Sequence, residues 1–224
     1  LSPRKGQVAQ RIYGFSLVRT EFVLQLDDDV IIEPKTLLSL LHLLSLSESS
    51  LAISPLIKNE LLASSSKFLN PLISLRNAFL YWTLNPRSGT ISESGFPVPF
   101  SVNQRSSLQA VSWLPGCCVL HRTKDTYQFN YFPFPGKAYC EDLIHSYNLL
   151  KNGVSLAVAT DLYIDTRIAS FVELSLRDFA KYILDDYRVR LHYVRITSCN
   201  PYLMRSSYLY IVASYVFRTI LKLC

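Results

Sequence analysis

The run FVLQLDDD, residues 22–29, constrains the fold of this chain more than any other stretch. Phe22–Leu26 is short, largely apolar and followed at once by Asp27, Asp28 and Asp29. Such a run suits a buried strand, because helices need about ten residues or more. Three adjacent carboxylates repel one another, and holding them together calls for a cation. Mg²⁺ takes oxygen ligands and is commonly shared between one or two carboxylates and a substrate's phosphates. In open α/β sheets ligands gather at the carboxyl ends of strands, where this cluster falls. The run therefore predicts a metal–diphosphate site. An acidic turn, or the flank of a helix opening at Pro34, would account for the same residues without a metal.

The remainder of the chain narrows the partner. At 224 residues it can bury a substantial core, and its 49% hydrophobic and 18% charged content is that of a globular protein. Only 7 glycines are present and none forms a Gly-rich phosphate loop, which argues against a nucleotide site of the GxxxxGK type. A net charge of +6 fits a partner that bears phosphates. The cysteines, Cys117, Cys118, Cys140, Cys199 and Cys224, are odd in number and lack CxxC spacing. Neither a zinc site nor a disulfide framework is expected, and a reducing cytoplasmic setting suits them. No apolar signal segment opens the chain, and no uncharged run approaches the roughly 18 residues of a spanning helix.

Periodicity places the other elements. Residues 5–19 read as a short basic helix, and Pro34 opens a Leu-rich one that carries His42 as a surface or packed residue. LAISPLI, 51–57, is strand-like. Residues 58–110 are punctuated by Ser, Asn and Pro and read as irregular, a length that suggests a cover over a site or a partner surface. AVSWLPGCCVLHR reads as strand, Pro-Gly turn and strand. An aromatic loop, YQFNYFPFPGKAY, then leads into CEDLIHSYNLLKNG. There Leu143, Ile144, Tyr147 and Leu150 share a helical face and Gly153 suits the C′ position. VSLAVAT, 154–160, is a strand leading to Asp161 and Asp165, and 171–195 is a basic helix. In the last segment Leu209, Val212, Ala213, Val216, Ile220 and Leu223 form an apolar stripe. It predicts packing on the core or a partner, or lying in a membrane surface with cations reaching outward.

Glu141 and Asp142 open the helix, where the positive end of its dipole favours ionised carboxylates able to accept a proton. Taken alone, such a pair is ordinary helix-terminal charge complementarity. Here it follows an aspartate cluster and an aromatic turn in a set order. In that order the residues resemble the family 2 glycosyltransferases of the GT-A fold. GQVAQRIYGFSLVRTEFVLQLDDDV resembles that family's stretch from an Arg-Asn helix to the DxD motif. WLPGCCVLHR resembles its acceptor-side segment, and AYCEDLIHSYNLLKNG its catalytic carboxylate segment. The resemblance covers roughly residues 4–165.

The resemblance implies an α/β fold: a GT-A-like three-layer α/β/α domain with a mostly parallel central sheet, over 1–166, and a C-terminal helical extension over 167–224. It implies an inverting, metal-dependent transfer of a sugar from a nucleotide-diphosphate sugar to an acceptor hydroxyl on a saccharide or lipid-linked saccharide. Asp29 would hold Mg²⁺ or Mn²⁺, Asp27 the sugar or ribose as well as the metal, and Asp28 would lie beside the donor. Asp142 would be the catalytic base, Glu141 would contact the acceptor, and Trp113 and Gly116 would shape the acceptor side. Asp165 stands where many members place a metal-binding His. The Arg-Asn pair is here Arg11-Ile12, leaving Arg11 as the donor phosphate contact. The family's first strand–helix–strand unit, which binds the base, is expected upstream of Leu1. No QxxRW follows the carboxylate pair, which argues against a processive synthase.

A GT-A-like scaffold that binds without catalysing is the alternative, and a nucleotidyltransferase a more distant one, lacking its phosphate loop. The expected setting is cytoplasmic, with peripheral membrane contact and no nucleic-acid partner.

Overall fold

In the computed structural model, residues 5–58, 71–100, 106–126, 138–166 and 175–223 are described. Helix α1 (Gln7–Leu17) runs into strand β1 (Phe22–Leu26), and a turn over the aspartates leads to the short β2 (Val30–Ile31). Pro34 begins α2 (Pro34–Ser45), where its missing N–H leaves no bond unmade and its fixed φ suits the first turn. His42 lies exposed on it. Every residue of β3 (Leu51–Ile57) is buried. Helix α3 (Pro71–Tyr81), β4 (Leu108–Ala110), β5 (Cys118–Arg122), α4 (Glu141–Lys151), β6 (Ser155–Thr166), α5 (Leu176–Thr197) and α6 (Pro201–Leu223) complete the order.

The chain is α/β, and its six-stranded sheet is mixed, with the order β1-β5-β3-β6-β2 and β4 also on β6. Only β3 and β6 pair in parallel; β1–β5, β3–β5, β4–β6 and β2–β6 are antiparallel. Strands β1, β3 and β6 therefore run one way, and β2, β4 and β5 the other. The expectation of a mostly parallel sheet fails for a physical reason. Parallel neighbours need a long crossover, and α2 supplies one between β1 and β3, but short turns lead into β2 and β5. β5 inserts between β1 and β3, so these two parallel strands are not neighbours.

Pro55 sits inside β3 and has no N–H to donate, and the β3–β6 register slips there, from Pro55 opposite Ala159 to Leu56 opposite Tyr163. The slip carries the end of β6 past the bulge to meet β2, with Asp165 opposite Ile31 and Thr166 opposite Val30. That pairing draws the last turn of β6 up to the aspartate turn.

Within 58–110, the described residues 71–100 and 106–110 are more regular than their composition suggests. Pro71–Tyr81 is helical, and within 88–100 the side chains of Ser92, Ser94, Phe96, Val98 and Phe100 are buried. Ser94 Oγ donates to Leu80 O at 2.7 Å and Ser92 N donates to Phe96 O at 3.0 Å, so the polar atoms that obscured the pattern are satisfied internally. Gly95 (φ 76°) is required here, because a Cβ would lie 2.6 Å from Val194 Cγ2 on α5.

The boundary expected at 166/167 does not divide the core. Val189 and Tyr193 of α5 share one buried cluster with Leu143, Ile144 and Leu149 of α4 and Leu156 of β6. A neighbouring cluster joins Leu80, Phe96 and Val98 to Val194, Met204 and Tyr208. The aromatic loop at 127–137 and residues 167–174 lie outside the described residues.

Candidate functional site

β1 ends at Leu26, and Asp27 continues the chain by donating its N–H to Cys117 O at 2.9 Å. This bond ties the aspartate turn to the turn that begins β5. Asp27 is half-buried, whereas Asp28 and Asp29 are exposed on the turn closed by Val30 N donating to Asp27 O at 3.3 Å. Burial raises the Asp27 carboxyl above its ordinary value, and Asp29 and Asp28 add to that; Arg11 pulls the other way.

Arg11, on α1, binds both acidic motifs. Its Nη1 donates to Glu141 Oε2, and its Nη2 lies 3.6 Å from Asp27 Oδ1. Arg11 and Glu141 side chains are each only 11% exposed. The carboxyl end of β1 and the N-terminus of α4 are thereby brought to one guanidinium.

Gly116 lets them close. A Cβ there would lie 3.1 Å from Glu141 Oε1, 3.4 Å from Gln25 Nε2 and 3.5 Å from Asp142 Cβ. Gln25 is 6% exposed and donates through Nε2 to Gly116 O, while its Oε1 has no partner among the described residues. Gln25 was not singled out from the sequence. The single polar residue in FVLQL was the available signal.

Asp142 accepts a hydrogen bond from Leu143 N at 2.9 Å. Its carboxyl is nevertheless pushed up to about 6, first by burial and then by neighbouring Glu141. Burial thus outweighs the helix terminus that was expected to favour the ionised form. At neutral pH Asp142 is still mostly ionised, and more basic than an ordinary aspartate.

A buried network fixes the start of α4. Cys140 takes a left-handed conformation (φ 51°) and its Sγ donates to Asp186 Oδ1 at 3.2 Å. Arg190 closes on Asp186 with Nη2 at 3.2 Å from Oδ1, Tyr208 OH donates to Asp186 Oδ2, and Arg190 Nη1 donates to Gly95 O at 2.9 Å. The i,i+4 spacing of Asp186 and Arg190 was the sequence signal for this pair.

Behind Arg11 lie two buried histidines. His121 of β5 and His145 of α4 stand edge-to-face with centroids 5.3 Å apart, and Phe15 of α1 contacts both rings. Burial lowers both below the ordinary histidine value, His145 to about 4, with Arg11 adding to each. Neither ring nitrogen of His121 has a hydrogen-bond partner among the described residues.

The structure thus groups Asp27, Glu141, Asp142, Gly116 and Arg11, with Asp28 and Asp29 on the adjoining turn. Asp165 lies beside β2, where its Oδ2 is 2.8 Å from Lys58 Nζ. Trp113 is buried in the core, stacked on Phe100 at 4.7 Å, with Nε1 donating to Val98 O at 3.2 Å. No group of three or more His, Cys, Asp or Glu among the described residues is placed to hold a metal ion. Cys118, Cys140 and Cys199 are free thiols. The chain matches no protein-family model, and no curated protein is significantly similar to it.

Proposed function

We propose that this chain transfers a sugar from a nucleotide-diphosphate sugar to an acceptor hydroxyl, with inversion at the anomeric carbon. The observation that carries the reading is Arg11, which joins Asp27 at the strand end to Glu141 at the helix start, beside an Asp142 raised to about 6. A strand-end acid for the donor and a separate basic carboxylate for the acceptor are what such a displacement requires. A GT-A-like layering is the fold-level part of the same proposal.

In this reading Asp142 accepts the acceptor's hydroxyl proton as that oxygen bonds to the anomeric carbon. The bond from that carbon to the diphosphate oxygen breaks, and the diphosphate leaves with the electron pair. Exposed Asp29 with half-buried Asp27 is a donor set that suits a hard cation shared with a diphosphate better than a closed protein cage. Bound there, Mg²⁺ or Mn²⁺ would neutralise charge on the leaving group. Asp165 would first have to leave Lys58 to join it. Glu141, turned to Arg11, orients the helix start, and Gly116 keeps the approach to Asp142 narrow.

A second reading, a scaffold that binds without catalysing, is favoured by the engagement of Arg11 and Asp165 in ion pairs within the protein. Nucleoside diphosphate release from a panel of nucleotide sugars, with Mn²⁺ and with chelator, separates the two. Metal-dependent release abolished by Asp142→Asn supports transfer; no release from any donor supports the scaffold.

A further inference from the structure

Helix α6 has the amphipathic period expected of it, and of the settings its stripe allows, packing on the core is not the one adopted. Met204, Ser207 and Tyr208 are the buried residues, and Tyr215 stacks on Phe179 of α5 at 3.6 Å. The outward stripe is Tyr202, Leu209, Val212, Ala213, Val216 and Phe217, of which Tyr202, Leu209 and Phe217 are 72%, 73% and 64% exposed. Helical spacing puts all six on one side. The flank toward α3 extends it: Phe79 stacks on Tyr210 at 5.3 Å, and Trp82 donates from Nε1 to Leu203 O at 3.1 Å, and both rings remain about 40% exposed. A contiguous apolar face of this kind marks an interaction surface.

Charge identifies what covers it. All 17 acidic residues precede Tyr187, where an equal number of Lys and Arg match them. The net +6 therefore resides in Arg188, Arg190, Arg195, Arg205, Arg218 and Lys222. Arg190 is buried against Asp186, but Arg195, Arg205 and Arg218 are exposed and in no salt bridge among the described residues. A helix with an outward apolar stripe, Arg205 beside Tyr202 within it, Arg218 on its other side and no acid along its length suits a surface that is apolar beneath and anionic above. A second copy of the chain would set like charges against one another with nothing to offset them. No described helix is long and apolar enough to cross a membrane, so the helix would lie in the interface.

The geometry points to α6, with Phe79 and Trp82 beside it, as an in-plane docking face for an anionic lipid bilayer. Leu209, Val216 and Phe217 enter the headgroup–acyl boundary while the stems of Arg205 and Arg218 carry their charges up to lipid phosphates. This rests on the outer face of the helix alone and does not depend on the sugar-transfer reading.

Vesicle co-sedimentation of the whole chain tests it, using phosphatidylcholine vesicles with and without phosphatidylserine. Partitioning should be about tenfold or more stronger with phosphatidylserine at low salt and should fall as salt rises. Leu209→Gln with Phe217→Gln should weaken it about tenfold, at unchanged melting temperature because both side chains are exposed. Arg205→Gln with Arg218→Gln should remove the phosphatidylserine preference. Equal or no partitioning onto the two vesicle types would overturn the proposal. So would a lipid-free dimer that Leu209→Gln with Phe217→Gln dissociates, since the face would then be a self-association surface.

Discussion

Arg11 and Glu141 are 130 positions apart, yet the guanidinium of one donates to the carboxylate of the other inside the protein. Because Asp27 shares the same guanidinium, the two acidic motifs are held by one cation. The sequence suggested Arg11 for a donor phosphate and Glu141 for the acceptor. In the structure each meets the other first.

Removing Arg11 leaves a buried carboxylate without its counter-charge. Arg11→Met should therefore destabilise by about 3–5 kcal/mol. Arg11→Met with Glu141→Gln should recover a large part of that loss, because the uncompensated charge is gone. Denaturant unfolding of the single and double variants checks it; losses that simply add would show that the pair is not coupled.

Asp142 is raised from an ordinary 3.8 to about 6, so the folded state binds the extra proton between those values. Through this group stability falls as pH rises from about 4 to 6, and the cost, about 3 kcal/mol at most, persists above. Asp142→Asn removes the charge that burial and Glu141 disfavour. It should raise the melting temperature at pH 7.5 and hardly change it at pH 4. If Asp142 is the base, the same variant should lower turnover by about two orders of magnitude or more. A variant destabilised at pH 7.5 would show that the ionised carboxylate has a structural role.

The buried histidine pair has the opposite sign. Both fold as neutral rings, so their contribution is full above pH 6.5 and is lost as pH falls toward about 4, where His145 titrates. His121→Phe keeps a ring against Phe15 and His145 and removes two nitrogens that lack hydrogen-bond partners among the described residues. It should be neutral or stabilising at pH 7.5 and should reduce the stability lost between pH 7.5 and 5. Urea unfolding at the two pH values decides it. An unchanged difference would mean that His121 takes up its proton alike in the folded and the unfolded chain.

Asp29 projects from the exposed turn and forms no described salt bridge. Asp29→Asn should leave the melting temperature unchanged and weaken Mn²⁺-dependent binding of a nucleoside diphosphate about tenfold or more. Calorimetry with and without chelator measures it. Binding that ignores both the metal and the substitution would place the anion site elsewhere.

Much of the local structure could be read from the residues. Pro34 at a helix start and Gly153 (φ 81°) beyond the end of α4 stand where backbone chemistry wants them. FVLQL before the aspartates and Glu141-Asp142 opening a helix were legible because short apolar runs and helix termini carry their own signals. Helix α3 and the buried 88–100 segment were not. Ser92 and Ser94 resemble loop residues until Phe96 O and Leu80 O are there to accept their hydrogen bonds.

The sequence by itself determined that a strand delivers three carboxylates, that a second pair opens a helix, and that the last helix has an apolar stripe. Tertiary structure alone decided what each one faces. It put β5 between β1 and β3, brought Glu141 to Asp27 through Arg11, and closed His121 on His145. It also turned the stripe of α6 outward while Ser207 Oγ went inward to Leu80 O at 3.1 Å. Periodicity reports that a side of an element is apolar, because side-chain spacing along one helix or strand is fixed by local geometry. Which side is buried depends on contacts between residues far apart in sequence, and no spacing along a single element encodes them.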